Sequence, residues 1–174
     1  FAAVNCQLSG GHSMQGPELN IGFVVNGVPL SRDGKLLGKT GAAPGDQLVL
    51  TKPLGTGAVF AAHMQLAADG REVSAAISSM LQGNGAAAEL ALAHGATACT
   101  DITGFGLLGH LLEMLGGALG ARLELAQLPL LPGAIERIRA GIVSTMHAAN
   151  RRSAGRLLEA GPAADAARLQ ILFD

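Results

Sequence analysis

The chain has 174 residues, of which 49% are hydrophobic and only 14% charged, with a formal net charge of −1 and neither Tyr nor Trp. That length holds one good-sized core, or one domain plus part of another, and the core must be built from Ala, Leu, Val and Ile. The charge balance and the lack of a basic cluster exclude an electrostatic footprint for nucleic acid, and no uninterrupted apolar run reaches the roughly 18 residues of a membrane span. Cys6 and Cys99 have no short-range spacing that would suggest a disulfide framework or a zinc motif, so a reducing cytoplasm is the expected setting. No charged segment followed by an apolar stretch reads as a signal peptide.

Phe1 to Leu8 reads as the tail of a strand and leads into Ser9-Gly10-Gly11-His12-Ser13. Two glycines there either turn one strand into the next, or offer backbone N–H groups to an anion with His12 and Ser13 as donors. Asn20 to Val28 is rich in β-branched residues, and Asp33-Gly34 suits a short hairpin between Val28 and Leu37. A stretch dense in Gly and Pro follows, and a domain boundary is expected near residues 38–46. Gln47 to Thr51 reads as a short buried strand, followed by Lys52-Pro53-Leu54-Gly55-Thr56-Gly57. The Walker spacing is absent, which excludes a phosphate loop of that kind. The glycines serve either a tight turn that packs a helix on the sheet or, through Lys52, a phosphate.

Helices are expected at Ala58 to Ala67, at Glu72 to Leu81 with Val73, Ala76, Ile77 and Met80 on one face, and at Ala86 to His94 closed by Gly95. His63 and His94 have no partner at ligand spacing. Ala96 to Thr100 reads as a strand that delivers Asp101 to a glycine-punctuated turn, Ile102-Thr103-Gly104-Phe105-Gly106. Beyond it Leu107, Leu108, Leu111, Leu112 and Leu115 recur at helical spacing. An acidic residue between a strand and a helix has two uses. Asp101 or Thr103 can cap the helix, or the Asp101 carboxylate can hold a magnesium ion against a phosphate near the helix N-terminus. Gly116-Gly117 ends this helix. A strand at 122–128, a short helix at Ala134 to Ala140, an irregular stretch from Gly141 to Asn150 and a last strand at 168–173 complete the reading. Strands at 1–8, 19–28, 47–51, 96–100, 122–128 and 168–173, alternating later with helices, imply an α/β (α+β) fold.

The run Thr100-Asp101-Ile102-Thr103-Gly104-Phe105-Gly106-Leu107-Leu108-Gly109-His110 resembles the acidic motif in the C-terminal half of selenophosphate synthetases (selenide, water dikinases), members of the aminoimidazole ribonucleotide (AIR) synthetase-like ATP-binding superfamily. Gly10-Gly11-His12-Ser13 and Leu50-Thr51-Lys52-Pro53-Leu54-Gly55-Thr56-Gly57 resemble two further family segments, in the family's order, so the similarity covers nearly the whole chain. The resemblance implies a remnant of an N-terminal ATP-binding domain at 1–42. At 43–174 it implies an AIR synthetase-like C-terminal domain, a mixed sheet covered by helices and truncated at its C-terminal end. It implies ATP contacts for Gly10, Gly11 and His12 across a homodimer interface, and Mg²⁺ coordination for Asp101. The implied reaction converts ATP, selenide and water to selenophosphate, AMP and phosphate. The family's reactive Cys or selenocysteine and its Lys belong to an N-terminal loop outside this chain, so the chain alone is expected to be an inactive fragment, cut at both ends. Gln15-Gly16 departs from the family, where an acidic residue is common. Ser144 to Ala149 departs from a Gly-Gly-Thr-Arg-Asn type segment in which Asn150 is the counterpart of the asparagine. The alternatives are another ATP-dependent synthetase of the superfamily, or a non-catalytic α/β interaction domain whose glycines only shape turns.

Overall fold

A computed structural model describes residues 6–29, 34, 36–162 and 164–174. The expected strand at 1–8 and the Asp33-Gly34 hairpin fall largely outside the described residues. The α-helices are α1 (Thr56–Met64), α2 (Gly70–Leu81), α3 (Gly85–Ala93), α4 (Gly106–Leu115), α5 (Ala134–Arg139), α6 (His147–Ala154) and α7 (Ala166–Gln170). α1 packs between α2 and α5, and α4 packs on α6 and on the 3₁₀ turn Ile171–Phe173.

Small residues make this packing possible. Ala58, Val59, Ala61 and Ala62 of α1 are buried, as are Ala76 of α2 and Ala134 of α5, which lets helix backbones approach closely. Gly55, at φ 112°, begins α1, and a Cβ there would overlap the Cβ of Ala134. Gly106 opens α4 at φ 69°, and a Cβ there would lie 2.8 Å from the Phe173 carbonyl carbon. The close packing expected of the Gly55 turn is made against α5 and not against a sheet.

The α/β expectation meets a mainly helical chain. Among the described residues no strand forms; the only isolated bridge pairs Leu54 in parallel with Leu130, closed by Leu54 N–H to Pro129 O (3.0 Å) and Leu131 N–H to Leu54 O (2.9 Å). The segment expected as a strand at 168–173 is helical instead. The Asp165 carboxylate accepts the N–H groups of Ala167 and Arg168 and starts α7, which runs into the turn Ile171–Phe173. Ile171, Leu172 and Phe173 are all buried there, and a continuous apolar run does not by itself separate a buried strand from a buried helix. Within 122–128, residues Leu125–Gln127 form a 3₁₀ turn. Residues 19–28, 47–51 and 96–100 carry strand-like composition without a ladder, and Leu19, Val24 and Val28 are almost fully exposed. The stretch 141–150, expected to be irregular, enters α6 at His147.

A charged strut joins α2 to α5. Asp69 and Glu72 form a capping box at the start of α2. Glu72 also takes two hydrogen bonds from Arg137, Nη2 to Oε1 at 2.8 Å and Nε to Oε2 at 3.1 Å, with its side chain only 14% exposed. The Arg137 hydrogen bonds hold the Glu72 carboxyl below the usual glutamate range against partial desolvation, with the Asp69 N–H adding to the effect. A carboxylate whose folded pKa is depressed contributes stability above its unfolded value and loses it as pH falls through the folded value. Glu72→Gln is therefore expected to cost about 2 kcal/mol near neutral pH. It should also flatten the fall of stability below the ordinary glutamate range, as read by urea unfolding from pH 7 down to 3. An unchanged acid slope would show that this pair does not govern it.

Candidate functional site

Asp101 sits where the segment 96–105 turns into α4. Its side chain is exposed, and its carboxylate has no hydrogen-bond partner among the described residues, although its carbonyl accepts the Thr100 hydroxyl at 3.1 Å. Neither Asp101 nor Thr103 caps α4; the N-cap is Phe105, with no side-chain cap bond. Thr103 is engaged elsewhere: its backbone N–H donates to His110 Nε2 at 3.2 Å, and its hydroxyl stands at the same distance from that nitrogen. His110, one helix turn into α4, is 4% exposed and its ring lies 5.6 Å from that of Phe105.

A second chain segment runs beside this turn. The Cys99 N–H donates to Gly38 O at 2.8 Å, and the Thr97 hydroxyl donates to the Asp46 carboxylate at 2.6 Å. This brings Lys39 over α4, where Nζ donates to Glu113 Oε2 at 2.7 Å. The Glu113 hydrogen bond and charge raise the Lys39 pKa, and the Asp101 carboxylate adds a smaller pull; Glu113 is lowered in turn by Lys39. One ammonium group thus stands in the field of both carboxylates.

Asn150 holds the turn from the other side. Its Nδ2 donates to Gly104 O (2.8 Å) and Phe173 O (3.0 Å), and the residue is 5% exposed. The Asp174 carboxylate accepts the N–H groups of Ala58 (2.8 Å) and Ser144 (3.0 Å), so the start of α1 already faces an anion supplied by the chain itself. Lys52 donates to the Gln82 carbonyl at the end of α2 instead of pointing a free ammonium at that turn. His147 is buried with its ring edge against Phe173, and its Nε2 and the Ser144 Oγ are buried without a hydrogen-bond partner among the described residues. His63 and His94 are exposed, and Cys6 and Cys99 are free thiols.

Gly10, Gly11 and His12 are exposed, and no atom stands within 4 Å of a Cβ built on either glycine. Among the described residues no hydrogen bond or ion pair joins them to Asp101. The chain by itself therefore does not unite the two halves of the expected site. Sequence reasoning overlooked Lys39 and Glu113. The spacing of Glu113 three residues after His110 on one helix was a readable signal, whereas Lys39, 74 residues before its partner, offered none.

No group of three His, Cys, Asp or Glu side chains that could enclose a metal occurs among the described residues. A single exposed, unpartnered carboxylate suits an ion that takes one or two carboxylates and fills its remaining positions with water and phosphate oxygens, as Mg²⁺ does. It does not suit a metal enclosed by protein ligands alone.

The family model for the AIR synthase related protein, C-terminal domain, matches residues 43–173, and the chain belongs to that family. It is 40% identical over 170 residues to a selenide, water dikinase of Trichlorobacter lovleyi, which covers 97% of this chain and 48% of the relative. It is 42% identical over 170 residues to one of Geobacter metallireducens (96% and 48%), and 41% identical over 137 residues to one of a Shewanella species, strain MR-4 (78% and 38%). The chain spans about half the length, or less, of these relatives. Among the described residues no helix is long and apolar enough to cross a membrane.

Proposed function

We propose that the chain is the C-terminal part of a selenophosphate synthetase, which converts ATP, selenide and water to selenophosphate, AMP and phosphate. The observation that carries this reading is identity of 40–42% to selenide, water dikinases along 96–97% of the chain. In it, residues 1–42 close an N-terminal ATP-binding domain and 43–174 form most of the C-terminal one. Asp101 contributes one carboxylate to Mg²⁺, and the exposed Gly10-Gly11-His12 segment serves ATP bound by a second copy in a homodimer. Phosphoryl transfer depends on positioning and on neutralising charge as it develops, and Asp101 and Lys39 supply a metal-ready carboxylate and a cation at one edge of α4. In this reading the mixed sheet of the C-terminal domain forms in the complete protein, and residues 19–28, whose Leu19, Val24 and Val28 stand in solvent, are a strand of the N-terminal domain. The cytoplasm is the proposed location.

Selenide-dependent AMP formation by the full-length protein tests the reaction, with the 174-residue chain alone expected to form none. ATP consumed with another acceptor would indicate a different synthetase of the superfamily, and absence of nucleotide binding by the full-length protein would indicate an interaction domain. For the shared site, His12→Ala mixed with Asp101→Asn is expected to regain activity that neither homodimer has, because a mixed dimer retains one intact site. Failure of mixed dimers to regain activity would overturn the cross-subunit placement.

A further inference from the structure

His110 is a buried polar side chain to which the proposed reaction gives no task. Its environment fixes its chemistry. A backbone amide can only donate, so Nε2, 3.2 Å from the Thr103 N–H, is the accepting nitrogen, and the neutral ring carries its proton on Nδ1. Nδ1 has no hydrogen-bond partner among the described residues: Glu113 Oε2 stands 3.7 Å away and is drawn to Lys39 at 2.7 Å. Glu113 from α4, Lys39 beyond it and the Phe105 ring are the groups that face the imidazole.

The bond made by Nε2 falls two residues beyond Asp101. The turn between them is tied at Thr103 N–H by His110, at Gly104 O by Asn150 and at Asp101 O by the Thr100 hydroxyl. The Asp101 carboxylate itself has no such tie among the described residues, so its direction depends on the backbone that carries it. Losing a group that orients a metal ligand without touching the metal typically costs about 10–100-fold in affinity.

We propose that His110 is a positioning residue that, by accepting the Thr103 N–H at Nε2, aims the Asp101 carboxylate at a divalent cation bound with the nucleotide. The proposal rests on the reading of Asp101 as a magnesium ligand. His110 does not touch the cation, and its effect passes through Thr103, whose N–H donates to Nε2 and whose hydroxyl stands at the same 3.2 Å.

The test replaces the imidazole by two amides that differ chiefly in reach. In His110→Gln the side-chain oxygen extends to the Nε2 position and accepts the Thr103 N–H. In His110→Asn the oxygen extends only to the Nδ1 position and leaves that amide unpaired. The full-length protein is titrated with Mn²⁺ in the presence of a non-hydrolysable ATP analogue, and free Mn²⁺ is read by its electron paramagnetic resonance signal. His110→Gln should bind Mn²⁺ within about threefold of the unaltered protein, while His110→Asn should bind about tenfold or more weakly. Equal weakening in both variants, or unweakened binding in folded His110→Asn, would overturn the proposal. Should His110→Asn fail to fold, a tenfold loss in His110→Gln overturns it and a near-native Kd supports it. Asp101→Asn in the same titration separates the two claims. If it binds Mn²⁺ as tightly as the unaltered protein, the metal reading falls and takes the role of His110 with it. If it loses Mn²⁺ while the two amides behave alike, only the role of His110 falls.

Discussion

Asp101→Asn in the full-length enzyme is expected to leave the ligand-free melting temperature within about 2 °C of the original, because Asn and Asp differ by only a few tenths of a kcal/mol even where they cap a helix. Here the replaced carboxylate caps nothing: α4 begins at Phe105 without a side-chain bond, and the Lys39 ammonium keeps Glu113 as its main partner. The effect should appear in turnover. On the proposed function, an amide oxygen coordinates Mg²⁺ without neutralising it, and charge stabilisation by a catalytic metal amounts to several kcal/mol, so Mg²⁺-dependent AMP formation should fall by about 100-fold or more. Full activity in the folded variant would remove Asp101 from the proposed metal site. A large drop in melting temperature with proportionate loss of activity would make the residue structural, contrary to the open surroundings of its carboxylate.

The parts of the fold that were legible in the sequence share a cause. α2 and α4 carry apolar residues at helical spacing, and α3 is bounded by Asn84 and Gly95, so local pattern and tertiary packing point the same way. The misread stretches are those in which long-range context decides. Leu169 to Phe173 is apolar throughout, and only the Asp165 cap and the burial of this run against α4 select the helical form. α6 has little apolar surface, and two of its buried residues, His147 and Asn150, are polar, so its inner face lacks the stripe by which helices are recognised. The site divides in the same way. Asp101 announces itself through the run of residues around it, while the Lys39–Glu113 pair joins positions far apart in the chain and is invisible to any local pattern.

The Asn150 amide joins the turn that carries Asp101 to the last turn of the chain, and its loss should be costly. Asn150 donates both of its N–H bonds to backbone carbonyls, Gly104 O at 2.8 Å and Phe173 O at 3.0 Å, in a setting where the residue is 5% exposed. Those carbonyls cannot be removed by mutation, so the near-neutral exchange of a whole polar pair for apolar groups is not open here. Asn150→Leu keeps nearly the same shape and leaves two acceptors unpaired, at about 1–3 kcal/mol for a buried group that loses its partner. With some relief from rearrangement, about 2–4 kcal/mol is expected in urea unfolding of the full-length protein. Asn150→Asp should be worse near neutral pH, because it turns a buried carboxylate toward two carbonyl oxygens, and it should recover partly in acid as protonation restores one donor. A stability loss below about 0.5 kcal/mol in Asn150→Leu would mean that water replaces the amide, whereas equal losses for Leu and Asp at every pH would mean that shape matters there and hydrogen bonding does not. Gly104 lies three residues beyond Asp101, so Asn150→Leu should also weaken Mn²⁺ binding while leaving the Asp101 carboxylate itself intact. That result would place the ligand's aim in the packing beneath the turn as well as in the turn itself.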